Sequence, residues 1–425
     1  MNVPSPEPVS IFRHPPFLLY WAARTSFSIA WQMAAVAVGW QMYALTRDPF
    51  DLGLVGLVIF VPMFAFMLAA GPVADRYDRR RIVQVCQLVQ AVAVAMLAIG
   101  TMSETITREF ILFAVFWLGT GRAFEAPTMS TILPGIVPTA LFPKAVATNS
   151  TATQIATIAG PAIGGFLYAV SPVAVYWICA LAFLSAAVML GVMRIGPRPL
   201  ARLPVTLESV FAGIVYIRRN PVVMGAITLD LFAVLLGGAT ALLPVYASDV
   251  FDVGPWGLGL LRAAPAIGGL VMLALLARKP PARGIGRMLF GGVAAFGLAT
   301  IVFALSNSFL LSLAALVALG SADSISVVLR QTLVQLETTD EMRGRVSAVN
   351  SLFIGTSNQL GEFRAGTMAG LIGTVPAVLA GGLGTLVVVA ACMKLFPRLY
   401  RIESFPPQRL AEADMPVPAA KVAAP

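Results

Sequence analysis

Hydrophobic positions run along this chain in blocks of about twenty residues, separated by short polar or basic segments. A block of that length spans the roughly 30 Å hydrocarbon core of a bilayer as an α-helix. The pattern predicts twelve spans, at residues 17–45, 50–72, 82–103, 109–135, 145–170, 173–193, 222–248, 255–277, 286–305, 309–336, 345–372 and 375–396. Between the sixth and seventh lies the longest internal polar segment. It opens on Pro197, Pro199 and Pro204, then places Leu207, Val210, Phe211, Ile214 and Val215 on one stripe before Arg218-Arg219. That pattern predicts a short amphipathic helix resting on a membrane surface.

The two sets of six spans repeat at an offset near 200 residues. Gly119-Thr-Gly-Arg122 aligns with Gly320-Ser-Ala-Asp323, Asn149-Ser150 with Asn350-Ser351, and Gly160…Gly165 with Gly361…Gly366. Gly56 and Pro62 align with Gly259 and Pro265. The predicted fold class is therefore an all-α membrane protein of twelve transmembrane helices in two six-helix, pseudo-symmetric bundles. Its expected domains are an N-terminal bundle (1–195), a linker with the amphipathic helix (196–221), a C-terminal bundle (222–396) and a disordered tail (397–425).

Composition sharpens this reading. The chain of 425 residues is 58% hydrophobic and only 12% charged, against about 25% charged in an average soluble domain. A soluble enzyme of this size would lack the charges to cover its surface. Lys and Arg number 29 against 20 acids, and those outside the spans concentrate on alternate loops: Arg76 with Arg79–Arg81, Lys144, the linker, Arg278 to Arg287, and Arg343 with Arg345. Only Arg47 and Arg108 lie in the opposite loops. The positive-inside rule then places both termini in the cytoplasm of a multi-pass inner-membrane protein, and assigns the basic balance to loops beside lipid headgroups rather than to nucleic acid. Residues 1–16 are polar and proline-rich, with no signal-peptide pattern.

Several chemistries are missing from the sequence. No lysine follows glycine in a phosphate-binding loop. The single histidine, His14, stands in the leading tail, so neither a metal cluster nor an imidazole relay is expected. Cys86, Cys179 and Cys392 all lie in apolar runs and read as small core residues. No cofactor, no metal and no enzymatic activity are expected. What remains is a set of charges within the spans: Arg24, Arg122, Glu125, Asp230, Arg262, Asp323, Arg330, Glu362 and Arg364. Each would cost about 2.5–3.5 kcal/mol against lipid, so they are expected to face one another or a polar pathway. Arg122 and Glu125, three apart, share a helix face. Asp323, Ser326 and Arg330 form one stripe; Arg24, Ser28 and Gln32 a second; Ser351, Gly355, Asn358 and Glu362 a third. Any one of these charges is equally readable as a satisfied ion pair, and Arg262 and Arg330 as snorkelling to water. The glycines are readable as plain helix packing.

One loop is more specific. Gly71-Pro-Val-Ala-Asp75-Arg76-Tyr-Asp78-Arg79-Arg80-Arg81 resembles the signature between the second and third helices of the major facilitator superfamily, with Asp78 where many members have glycine. Gly160-Pro161-Ala-Ile-Gly164-Gly165 resembles the antiporter signature of the same superfamily. Trp40…Thr46, Leu52…Pro62, Gly121-Arg-Ala-Phe124…Pro127, Gly213…Pro221 and Met342…Ser351 resemble its bacterial drug/proton-antiporter branch. The resemblance implies a secondary transporter that exports a small organic molecule in exchange for protons, most simply as a monomer in contact with membrane lipids. Arg24, Arg122, Glu125, Asp230, Asp323, Arg330 and Glu362 would form its substrate and proton pathway, with Arg122 and Asp323 a candidate central pair. Gly71, Asp75, Arg76, Arg79 and Arg80 would serve gating. The family position now held by Arg364 is usually acidic. A lipid or lysophospholipid flippase on the same fold and a non-transporting membrane sensor remain alternatives.

Overall fold

Local sequence signals start the helices of the computed structural model, which describes residues 11–193, 207–281 and 283–405. Asp48, Ser171 and Asn220 each precede a proline and are held extended. Their side chains accept hydrogen bonds from the N–H of Phe50 (2.9 Å), Ala174 (3.3 Å) and Val222 (3.1 Å), so each helix opens on a capping residue followed by proline at its first position. The N-terminal bundle comprises α1 (Pro15–Thr46), α2 (Pro49–Ala65), α3 (Met67–Arg76), α4 (Arg79–Met102), α5 (Arg108–Ile136), α6 (Phe142–Val170) and α7 (Pro172–Val192). After the linker helix α8 (Leu207–Arg219) come α9 (Pro221–Gly237), α10 (Leu243–Val245), α11 (Gly254–Arg278), α12 (Ile285–Leu305), α13 (Phe309–Leu336), α14 (Asp340–Ile372), α15 (Thr374–Leu395) and α16 (Pro397–Tyr400).

Among the described residues these helices build the twelve expected spans, with two departures. The second span breaks at Phe66 into α2 and α3, one turn after Pro62 removes a helical donor. The seventh breaks at Gly238, where α9 gives way to a 3₁₀ turn, α10 and a π-helical turn ending at Val250. Eight spans are long and apolar enough by themselves to cross a membrane. The other four, built on α1, α2–α3, α5 and α14, carry much of the polar complement and rely on their neighbours to shield it.

The arrangement of the spans fits this division. α4, α7, α12 and α15 turn rows of large apolar side chains outward, among them Val92, Leu181, Val302 and Val387. The two halves meet where α2 packs on α14 and α6 on α11. The sequence repeat is visible in these contacts. A Cβ on Gly119 would lie 3.0 Å from Pro62, and one on its equivalent Gly320 would lie 2.6 Å from Cα of Pro265. At the half-interface a Cβ on Gly165 would lie 2.9 Å from Cα of Gly259, and one on Gly366 would lie 2.5 Å from Cα of Gly53. Equivalent glycines thus permit equivalent backbone approaches, as small residues do between membrane helices.

Two expectations need correction. The tail begins ordered: Leu399 is fully buried, Gly286 N–H donates to Ile402 O (2.9 Å), and Arg287 pairs with Glu403 (2.8 Å). Residues 397–405 therefore seal the start of α12, while 406–425, with 1–10 and 194–206, lie outside the described residues. The amphipathic helix α8 is also more than a surface float. It sets Gly213 against the Arg345 backbone, buries Ile217, and donates from Tyr216 Oη to Glu337 O at 3.0 Å. Phe211 and Val215 face away from the protein.

Candidate functional site

The halves are closed at one end and parted at the other. At the end away from the linker, Arg47 at the close of α1 pairs with Asp249 (3.2 Å) and donates to Ser248 (2.9 Å), and Tyr43 Oη donates to the same carboxylate. Arg47 adopts a left-handed backbone (φ 52°), uncommon for a residue with a Cβ, to make this turn. Beneath it lie the Gly165–Gly259 and Gly366–Gly53 approaches. A second pair, Arg108 with Asp51 (2.6 Å), ties α5 to α2 at the same end. At the linker end, by contrast, Gly71, Gly135, Gly344 and Gly355 have open space where a Cβ would sit. A cleft enters there between α2–α3, α5 and α14, its wall mostly apolar (Phe60, Met63, Phe64, Leu352), with Arg122 at its side.

In the N-terminal half, Arg122 and Glu125 form the predicted pair at 3.0 Å. Glu125 is only 1% exposed and also accepts from Gln90 Nε2 (2.9 Å). The Arg122 guanidinium lies over the Trp31 ring, 5.0 Å from its centre. Arg24, on α1, donates to Tyr20 Oη at 3.3 Å, while its Nε has no partner.

In the C-terminal half, Arg330 is 2% exposed and bridges Asp230 (3.1 Å) and Asn350 (3.1 Å). It is a core residue and does not snorkel. Asp323 lines a small recess with Asp230 and Ser326, and also the larger cavity beyond it, yet its carboxylate makes no hydrogen bond or ion pair among the described residues. Arg122 and Asp323 are therefore not paired in this conformation; Arg122 pairs with Glu125 on its own helix face.

The remaining spans contribute a third group. Arg262 on α11 and Glu362 on α14 share two adjoining cavities between the halves. Arg262 Nε and Gln359 Oε1 are buried without partners, and no ion pair or hydrogen bond to Glu362 is formed. Arg262, too, fails to snorkel. Arg364 turns the other way. Its Nε donates to Leu235 O (3.0 Å) and its Nη2 to Leu236 O, capping the last carbonyls of α9 where the seventh span breaks. An acidic side chain could not do this.

The loop motif is partly legible. Asp78 caps α4 by accepting from Arg80 N–H (2.9 Å), which gives a local reason for aspartate where the family often has glycine. Arg80 donates to Met193 O at the end of α7, and Arg79 is also engaged. Arg76 is exposed. The side chain of Asp75 lies outside the described residues. Gly71 makes no close helix contact in this conformation, unlike the contact the motif implies, because the halves stand apart at this end. In α6, Gly160 packs on Gln32, Gly164 on Met33 and Gly165 on Gly259, while the Pro161 carbonyl faces Gly259. The antiporter motif is thus a set of close contacts at the sealed end.

Residues missed from the sequence include Gln90, Asp51, Asp249 and Gln359. Polar amides and boundary carboxylates stood out little against charges inside the spans, and only their partners reveal them.

The family model for transmembrane secretion effectors matches residues 7–422. The chain belongs to that family. It is a membrane transporter of the major facilitator superfamily. It is 26% identical over 407 residues to a protein named enterobactin exporter EntS from Escherichia coli O1:K1 / APEC, covering 93% of this chain and 95% of the relative. Its fold resembles that of a bacterial homologue of the human lysosomal transporter Spinster, in an inward-facing and occupied conformation. That match has a TM-score of 0.74 at 14% identity, over 94% of this chain and 99% of the other. A bacterial homologue of the iron transporter ferroportin, in an inward-facing state, gives a TM-score of 0.68 at 16% identity, over 92% of this chain and all of the other.

Proposed function

We propose that this transporter exports a small amphipathic organic molecule across the bacterial inner membrane by alternating access, in exchange for protons. The parted end is cytoplasmic, with both termini, as the basic loops require. The relatives named as exporters support the direction, and the cavities between the halves bring charged and apolar side chains together.

Proton exchange rests on one observation: Asp323 is a carboxylate without a partner on a cavity wall, beside an Asp230–Arg330 pair that is already neutral. Opening to one side hydrates Asp323 and lets it exchange a proton there; closure shuts it off from water until the other side opens. Cargo and proton then alternate at the same crevice. Asp75 and its neighbouring arginines act on the parted end, closing it in the opposite half of the cycle. The test is enterobactin, as a probe cargo, in inverted vesicles. Uptake should require an imposed pH gradient and stop when that gradient is collapsed; gradient-independent uptake would remove proton exchange from the account.

A flippase is a second reading, favoured by the apolar lining of the parted cleft. Movement of labelled lysolipid without a proton gradient would support it.

A further inference from the structure

We infer that Arg262, Glu362 and Gln359 form the clamp for the cargo's polar head, and that this head is an amide-type group presenting a carbonyl acceptor beside an N–H donor. The inference rests on the transport reading and supplies its substrate class. Arg262 Nε and Gln359 Oε1 are buried without a hydrogen bond, and the Glu362 carboxylate feels the Arg262 charge but makes no hydrogen bond or ion pair with it. Unpaired buried polar groups are costly and rare in folded proteins. Here the two unpaired atoms and the Glu362 carboxylate line one cavity rather than separate packing defects.

The chemistry of the set narrows the occupant. A guanidinium donates only, a carboxylate accepts only, and the free Gln359 oxygen accepts. A simple anion would satisfy Arg262 and face Glu362; a simple cation would do the reverse. A neutral head carrying C=O next to N–H satisfies both, with a further donor reaching Gln359. The opposite wall of the cavity carries Trp31, Leu52 and Ile59 beside a single amide, Gln32, so the rest of the cargo is mainly an aryl or aliphatic body.

The clamp also bridges the halves. Both charges belong to the C-terminal bundle, yet Arg262 Nη2 would lie 3.4 Å from a Cβ on Gly39 and Glu362 Oε2 3.0 Å from one on Gly56. The glycines leave these side chains room at the N-terminal wall. An occupant held by the clamp therefore touches both bundles, as a cargo that drives their movement must.

The experiment measures binding to the purified full chain in detergent, with N-butylbenzamide and its N-methyl derivative as probes. The secondary amide should bind about tenfold more tightly than the methylated one, and more tightly than benzoate or butyltrimethylammonium. Glu362→Met should abolish the preference between the two amides, and Arg262→Met should weaken both. Should Glu362→Met fail to elute as a single species, Glu362→Gln, of the same shape, should lower the preference at least threefold. Equal binding of the two amides by the wild type, tighter binding of either ion, or an unchanged preference in the Glu362 variants would overturn the clamp. No proton or gradient enters this measurement. A clamp that holds while vesicle uptake ignores the pH gradient would sink proton exchange alone, and the converse would sink the clamp alone.

Discussion

Arg330 and Asp230 form an ion pair 3.1 Å apart, with side chains only 2% and 9% exposed, and Asn350 takes a second edge of the guanidinium. The pair joins the tenth span to the seventh and leaves one neighbouring carboxylate, Asp323, without an ion pair of its own. Breaking such a pair leaves a buried charge alone, at about 3–5 kcal/mol. Arg330→Met is expected to lower thermal stability sharply, while Arg330→Met with Asp230→Leu should recover most of the loss. Differential scanning fluorimetry of the three proteins checks this; a double variant no better than the single would contradict the assignment.

The Arg47–Asp249 pair latches the end away from the linker. Native Cys86, Cys179 and Cys392 are buried, so a cysteine placed at Thr46 reports on that end with little background. Asp249→Ala should raise its labelling by a membrane-impermeant maleimide several-fold, since both the Arg47 pair and the Tyr43 hydrogen bond are lost. Unchanged labelling would show that the glycine contacts alone hold the end shut.

Those contacts make their own prediction. Gly165→Val puts a branched side chain where Gly259 Cα approaches, and Gly366→Val does the same against Gly53. Each variant should favour the conformation open at that end, with higher Thr46→Cys labelling and at least tenfold slower turnover. Because the two positions are related by the repeat, their effects should be similar. A large effect at one position alone would break the symmetry argument.

Arg364 supports the break in the seventh span by binding the carbonyls of Leu235 and Leu236. Arg364→Ala leaves these acceptors without their donor, at about 1–3 kcal/mol. Lower stability is expected in Arg364→Ala, with partial recovery on adding guanidinium ion and no recovery on adding sodium. Recovery by sodium would instead indicate a metal-ion site at the break.

The sequence shows the spans because lipid demands long apolar blocks, and it shows the repeat because equivalent glycines meet equivalent neighbours in each half. It shows the Arg122–Glu125 pair because three residues on a helix bring side chains together. It does not show that Arg122 and Asp323, the candidate central pair, would stand apart, since that depends on how the two halves are set against each other. It separates Glu362 from Arg364, since residues two apart on a helix point in different directions. It does not show that Arg364 would cap the broken end of α9, which depends on the fold of α9. The ordered turn at 397–405 is not legible because its partners, the start of α12 and Arg287 among them, lie more than a hundred residues away in sequence.

Asp323 is the residue on which the account turns. Enterobactin added to inverted vesicles holding a trapped pH indicator should drive proton movement in wild-type protein, and Asp323→Asn should abolish that movement while the probe still binds and still exchanges across the membrane. Proton movement of wild-type size in Asp323→Asn would contradict the account.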